Sequence, residues 1–340
     1  METNYHTYNE IKSQTGAWAQ AVDLMRAAAL PDASKYDQVV FTGCGSSYYL
    51  SLAAAALYQE LTGRAARAVP AGELFLNTNT VVAQAASLRH LLVAISRSGT
   101  TTETVKAAEK FKQEKRGDVI VISNYDEALS KLADINIAIP KGQEESVAQT
   151  KSFASMYVGA TAFCAKMAGR EDLVEAMNQL PVIGNLVIGK YEAFAKSLGE
   201  NLNYDRFYFL GSGIRYGLAC EVNLKMKEMT LTHSEPFHFL EFRHGPMSMV
   251  NENAVVAGML SDVNRVYEAQ VLSEMKMLRG TVASLGEKDA DVCFESRIPE
   301  SVRGVLYLPV LQLMAFYRSL AKGLNPDRPN NLTAVVKLNF

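Results

Sequence analysis

Short apolar runs and longer helical stretches alternate along the chain, and that alternation carries most of the reading. Tyr36 to Thr42 (YDQVVFT) has the length and apolar density of a buried parallel strand. It feeds into the turn Gly43-Cys-Gly-Ser-Ser47, followed by the helical YYLSLAAAALYQELTG, which closes at Gly63, and by a strand from about Arg67 to Pro70. Strand, Gly-rich turn, helix and strand make a βαβ unit. The next run, LLVAIS (residues 91–96), meets a second polar turn, Arg97 to Thr102, and then the helix ETVKAAEKFKQEKRG. Asp118 to Ser123 is predicted as strand, NYDEALSKLA as turn and helix, and INIAIP as a further strand. Residues 1–30 are expected to be helical, with Trp18, Val22, Leu24 and Met25 on the apolar side. Residues 148–200 are also expected to be helix-rich, with interruptions near Pro181 and Gly184.

The second half repeats this grammar. Phe207 to Leu210 is predicted as strand, Gly211-Ser-Gly213 as its turn, Leu218 to Leu231 as its helix and Val255 to Leu260 as the next strand, with further helix and strand near 280 and 292. Residues 39–47 (VVFTGCGSS) and 207–215 (FYFLGSGIR) are one device used twice. The fold class expected is therefore α/β, with two tandem doubly wound, flavodoxin-like parallel-sheet domains. The expected boundaries are an N-terminal helical segment over 1–30, a first domain over 31–170, a helical linker over 171–200, a second domain over 201–325 and a tail over 326–340. The tail is expected to dock through Val335, Val336, Leu338 and Phe340.

Composition narrows the function classes. At 340 residues and 48% hydrophobic there is material for two cores. A net charge of −2 without a Lys/Arg run argues against nucleic-acid or membrane-surface partners. Cys44, Cys164, Cys220 and Cys293 are scattered with no CxxC pair, which argues against a zinc site or a disulfide framework and fits a reducing compartment. The polar N-terminus has no apolar signal core, and no run reaches the roughly 18 consecutive apolar residues of a spanning helix, so a cytoplasmic location is expected.

Candidate chemistry lies in two places. In open α/β sheets ligands bind beyond the carboxyl ends of the strands, where helix N-termini present free N–H groups. The two best strands of the first half end in Ser46-Ser47 and in Ser96-Arg97-Ser98-Gly99-Thr100-Thr101, a set of hydroxyls and one guanidinium that suits a phosphate. Ser and Thr that simply cap helices are the alternative. No GxxxxGK[ST] is present, and GCGSSY lacks the third Gly of a dinucleotide fingerprint, so NTPase and dinucleotide readings are weak. A third polar segment, Glu144 to Ser152, precedes the next helix and can lie over the same pocket. In the second half Glu221, Lys225 and Glu228 fall at i, i+4 and i+7 and share one helix face, which reads either as acid/base machinery or as a surface charge pair with a spare Glu. Leu224, Met226 and Met229 argue for burial of that helix, and a Pro-containing loop displays His244 nearby, with Glu241 placed to orient it. His233 at the helix end and His238 between Phe237 and Phe239 are explained by packing.

Taken together, TGCGSS, ISRSGTTTET, ESVAQTKS and the run EVNLKMKE…HSEPF…EFRHGP resemble the sugar-isomerase (SIS) family, from about residue 10 to the C-terminus. The chain looks like the double-SIS enzymes: the isomerase half of glucosamine-6-phosphate synthase, amino-sugar-phosphate deaminases, AgaS-like ketose/aldose isomerases and phospho-Amadori deglycases. It shows no glutaminase domain ahead of the first SIS-type helix, so glutamine-driven amination is not expected. The resemblance implies that Ser46, Ser47, Ser96, Ser98 and Thr101, with Gly45 in the same turn, hold a 6-phosphate. Arg97 stands where the synthase has Gln. It further implies that Val147 lies against the sugar, that Glu228 moves a proton between C1 and C2, that Glu221 and Lys225 support it, and that His244 opens the ring from across a dimer interface. The tail would then lie over the active site. Where the synthase carries a Schiff-base lysine this chain has Ala334, with Lys337 three residues on. The implied activity is deamination and isomerisation of an amino-sugar 6-phosphate to ketose 6-phosphate and ammonia. A deglycase acting on fructosamine 6-phosphates is the alternative, and a plain isomerase or a sugar-phosphate sensor comes third. The implied chemistry needs neither metal nor redox cofactor. The implied partners are a phosphorylated amino sugar and a second copy of the chain.

Overall fold

The computed structural model describes residues 2–82, 88–336 and 338. The chain forms two compact units that interleave in sequence. One comprises Gly16–Glu144, Lys151–Asn178 and Thr333–Phe340, and the other Met1–Thr15, Glu145–Thr150 and Gln179–Leu332.

The first of these units is built on five parallel strands, β1 (Gln38–Gly43), β2 (Ala66–Pro70), β3 (His90–Ser96), β4 (Gly117–Ser123) and β5 (Ile135–Ala138), in the order β2-β1-β3-β4-β5. All seven residues of β3 are buried, as a central strand covered on both faces requires. Helices α1 (Ser46–Thr62), α2 (Thr102–Gln113) and α3 (Lys151–Met167) flank the sheet. On one face Val40, Leu92, Ala94, Val119 and Val121 pack with Leu74 and Phe111. On the other, Phe41 meets Tyr58 of α1 and Phe163 of α3, with ring centroids 6.1 Å apart in each case. All three rings are fully buried, each worth about 1.5–3 kcal/mol of transfer free energy.

The second unit repeats the plan. After α4 (Leu180–Glu200) come β6 (Arg206–Leu210), α5 (Ile214–Thr230), β7 (His233–Phe237), β8 (Ala254–Met259), α6 (Arg265–Met277), β9 (Thr281–Gly286), β10 (Val292–Cys293) and α7 (Leu308–Ala321). Its strands run in parallel in the order β7-β6-β8-β9-β10, the same topology as the first sheet. Helix α7 packs against α4 and α5, and a Cβ on Gly199 would come within 2.4 Å of the Met314 carbonyl, so this glycine sets how closely α4 and α7 approach. The stretch Gly304–Ala321 is long and apolar enough to cross a membrane (mean hydropathy 1.2), but 89% of it is buried, as in a core helix.

Three expectations change. HSEPF, expected to follow a helix end as loop, is the edge strand β7: among the described residues it has a neighbour only in β6, and an edge position tolerates Pro236 and the charged Glu235. The interruption expected near Pro181 is the 3-10 stretch Met177–Gln179, after which Pro181 sits in the first turn of α4, where a missing N–H costs nothing, whereas Gly184 interrupts nothing and lies inside α4. NYDEALSKLA holds only a 3-10 helix, Ala128–Leu132.

Candidate active site

Both sheets reverse strand order between their first and third strands, which is where doubly wound proteins bind ligands. In the first unit β1 ends at Gly43, where a Cβ would meet Ser47 Cβ at 2.6 Å and the Ile95 carbonyl at 2.8 Å, so only glycine lets the first turn of α1 sit over the strand end. Gly45, at φ 54° and ψ −122°, caps α1 in backbone geometry that L-residues adopt only under strain. Gly213 (φ 59°, ψ −131°) does the same for α5. These paired glycines place Ser46 and Ser47, each under 5% exposed, in the first turn of α1. The sulfur of Cys44 contacts Thr104 Oγ1 at 3.6 Å, and burial pushes its thiol above the usual value, which argues against a nucleophile.

The neighbouring strand β3 ends in the second expected turn. Ser96 Oγ accepts from the Gly99 N–H at 3.2 Å, Ser98 Oγ accepts from the Thr100 N–H at 3.2 Å, and Ser98 and Thr101 hydroxyls lie 3.4 Å apart. Thr101 precedes α2 and makes no side-chain cap bond, so the capping explanation fails for this residue. The buried Arg97 donates through Nη2 to the Ala334 carbonyl, and its Nη1 lies 3.4 Å from Glu144 Oε1. Leu338 N–H donates to Thr102 Oγ1 at 3.2 Å. The C-terminal segment is thus fastened to the turn through polar groups. Of the apolar residues expected to dock it, Val335 is half-buried, while Val336 is 56% and Leu338 45% exposed. Lys337, and Phe340 of the same docking set, lie outside the described residues.

In the second unit Val147 sits in a short segment held by other parts of that unit. Its N–H donates to the Asp327 carbonyl at 3.0 Å, and Glu10 accepts from the backbone of Glu145 and Ser146. The Asp327 carboxylate caps the helix His6–Ser13 through the N–H groups of His6 and Thr7.

Helix α5 carries the acids. Glu221 and Lys225 are buried, with Lys225 Nζ 3.4 Å from Glu221 Oε1 and 2.5 Å from Glu228 Oε2. The side chain of Glu228 keeps 20% exposure, so the row begins in the interior and ends at solvent. This is no surface pair. It also does not lie at the glycine turn: Glu228 is about 21 Å along α5 from Ile214 at 1.5 Å per residue. His244 stands elsewhere. Parallel topology carries α5 back to the amino end of the sheet, where β7 starts, whereas the loop bearing His244 leaves from the carboxyl end of β7. The five residues of β7 separate those ends by about 16 Å. His244 is exposed, its N–H donates to the Glu241 carbonyl at 3.0 Å, and among the described residues no hydrogen bond or ion pair joins it to the acids of α5. The expected orienting contact from the Glu241 carboxylate is not formed. His238 stacks on Tyr216 (3.9 Å between centroids), and the loss of solvent there lowers its pKa against the opposing pull of Glu241.

Sequence reasoning missed two clusters. Glu144 was visible only as part of a polar segment, although its carboxylate meets Arg97, the Ser152 hydroxyl and the Ser152 N–H. The second reversal point, between β6 and β8, is filled by its own side chains. Arg215, in the place Ser47 takes in the first unit, contacts Glu268 and Glu300. Those carboxylates accept the Ser261 N–H at 2.6 Å and the Asp262 N–H at 2.9 Å. Burial raises the pKa of Glu268, with the Ser261 N–H and Arg215 opposing. Arg303, 2% exposed, adds contacts to Asp262 and Glu287. Only spatial proximity unites these residues, which span positions 215 to 303. No cluster of three or more potential metal ligands forms among the described residues.

Two parallel five-stranded sheets of identical order, with polar glycine turns at the reversal point of the first, define a tandem doubly wound α/β protein. The model of the SIS domain matches residues 34–166, and the chain belongs to the SIS domain family. It is 31% identical over 317 residues to glutamine–fructose-6-phosphate aminotransferase (isomerizing) of Pyrococcus horikoshii, covering 89% of this chain and 52% of that protein. It is 32% identical over 254 residues to the namesake in Sulfolobus acidocaldarius, covering 72% and 42%. The chain spans about half the length of the curated relatives it matches. Among solved structures, glucosamine-6-phosphate deaminase from Thermotoga maritima superposes with a TM-score of 0.81 at 27% identity, covering 98% of this chain and 100% of that one. A tagatose-6-phosphate ketose/aldose isomerase from Escherichia coli shares the fold with a TM-score of 0.83 at 22% identity, covering 97% and 96%.

Proposed function

We propose that this chain deaminates and isomerises an amino-sugar 6-phosphate of the glucosamine or galactosamine type to a ketose 6-phosphate and ammonia. The observation that carries the reading is the row Glu221–Lys225–Glu228: a carboxylate pair bridged by one ammonium, closed to water at one end and open at Glu228. A proton can be exchanged only at the open end. In this reading Ser46, Ser47, Ser96, Arg97, Ser98 and Thr101 hold the phosphate, with Gly45 shaping their turn, and Val147 lies against the sugar. Glu228 takes the C2 proton of the open-chain aldose and returns it at C1, converting the aminoaldose into a ketose imine. Water then adds at C2 and ammonia leaves.

His244 assists ring opening. The length of β7 between it and Glu228 supports its being supplied by a second copy of the chain, in a homodimer whose sites are shared. Ala334 in place of the Schiff-base lysine that the resemblance leads one to expect favours cleavage of an existing C–N bond over glutamine-driven amination. The four free cysteines support a reducing, cytoplasmic setting.

The test is an ammonia assay with glucosamine 6-phosphate and galactosamine 6-phosphate. Release of ammonia with stoichiometric ketose 6-phosphate is expected. Amine release from fructosyl-amino-acid 6-phosphates alone would replace this reading with a deglycase, ketose/aldose interconversion alone with a plain isomerase, and binding without turnover with a sensor.

A further inference from the structure

Glu144 occupies an unusual place for a carboxylate. Its side chain is 0% exposed; Arg97 Nη1 lies 3.4 Å away, and the hydroxyl and the N–H (3.2 Å) of Ser152 both donate to it. Ser152 is itself fully buried in the first turn of α3, where the helix offers free N–H groups and a partial positive charge. A carboxylate seated there cannot follow a moving guanidinium, so the guanidinium must adapt to it. Arg97 then has one arm directed at Glu144 and the other at the Ala334 carbonyl, and its planar fork has no freedom to turn away. The backbone of Arg97 lies between Ser96 and Ser98, in the turn to which Leu338 is also tied through Thr102.

We propose that Glu144 is a positioning residue: it fixes the Arg97 guanidinium over the Ser96–Thr102 turn for a phosphate monoester dianion, and through Arg97 it holds the C-terminal segment against that turn. The pair is neutral, so Arg97 contributes directed donors rather than net positive charge. This inference rests on reading the turn as a phosphate site, and the experiment separates the two.

Calorimetric binding of inorganic phosphate and of an unreactive hexitol 6-phosphate would be measured for the full chain, Glu144→Gln, Arg97→Gln and the double variant. Amide exchange over residues 333–338 would be followed in parallel. Each single variant is expected to weaken the hexitol phosphate by about tenfold, as for loss of one charged hydrogen bond. The double variant should bind within twofold of Arg97→Gln, because Glu144 acts through Arg97. With a turned-over substrate, Glu144→Gln should raise KM with kcat within twofold, and Glu144→Asp should restore part of the loss. Exchange over 333–338 should quicken equally in all three Gln variants. Additive losses in the double variant, or wild-type binding by Glu144→Gln, overturn the proposal. If the wild-type chain binds neither probe, the phosphate reading fails, and unchanged exchange in Glu144→Gln then overturns the positioning role separately. Should Glu144→Gln not fold, Glu144→Asp and Arg97→Gln carry the same comparison.

Discussion

Replacing Lys225 by Met removes the ammonium between Glu221 and Glu228 while keeping the side-chain volume. At 3.4 Å, the Lys225–Glu221 pair is worth about 5 kcal/mol of gross attraction at an effective dielectric of about 20. Desolvation offsets part of this, and breaking a buried pair by removing one partner typically costs about 3–5 kcal/mol, because a buried charge is left behind. The side chain of Glu221 is 0% exposed, so the upper half of that range is expected, whereas Glu228 at 20% exposure can turn to water. For a unit of this size, about 2–4 °C per kcal/mol places the fall at roughly 8–20 °C in the thermal transition of the second unit alone. The penalty should shrink in acid. A buried carboxylate without its cation has a raised folded pKa, so stability is regained as pH falls through that value toward the unfolded one near 4.3. Scanning calorimetry at pH 5 and pH 8, with Lys225→Met compared to the Glu221→Gln/Lys225→Met double variant, tests this. The double variant should recover more than half of the loss at pH 8. A shift below 2 °C, equal shifts at both pH values, or a double variant no better than the single one would refute the argument.

Two further outcomes follow from the same geometry. Glu228→Gln, which is isosteric and lies at the open end of the row, should lower kcat by about 10²–10⁴-fold while hexitol 6-phosphate binding by calorimetry stays within threefold; near-wild-type turnover would take the proton transfer away from Glu228. Glu192 accepts from Tyr8 and Tyr317 at 2.7 Å and from Lys12 at 2.6 Å; burial alone would raise its pKa, but Lys12, Tyr317 and Tyr8 together hold it below the usual glutamate value of 4.5. Because that folded pKa is depressed, its contribution is present above about pH 4.5 and lost as pH falls below it, so the melting temperatures of wild type and Glu192→Gln should converge between pH 5 and pH 3.

The parts of this protein that were legible in sequence are those written in local patterns. The two Gly-x-Gly turns announced themselves because close approach at Gly43 and positive φ at Gly45 and Gly213 leave glycine no substitute. The buried strands were readable because parallel pairing inside a layer of helices demands continuous apolar runs. β7 was hidden because an edge strand escapes that demand, and its Pro236 reads as a breaker. The face shared by Glu221, Lys225 and Glu228 follows from helical period, but its depth does not: burial is decided by packing on α5 of α7, distant in sequence, and of β7, an edge strand that the apolar pattern does not reveal. The Arg97–Glu144 and Arg215–Glu300 contacts were invisible because their partners lie 47 and 85 positions apart.

The filled reversal point of the second sheet has its own consequence. Glu268 and Glu300 hold the backbone N–H groups of Ser261 and Asp262 as covalently tethered guests that never dissociate. The first unit has the hydroxyls of Ser46 and Ser47 at the corresponding place; if they hold a phosphate as proposed, its stability should follow the phosphate concentration, by RT ln(1 + [L]/Kd). On the proposed phosphate reading, a duplicated architecture has separated into a half that is permanently saturated and a half that titrates. Ligand should move one calorimetric peak and leave the other where it stands.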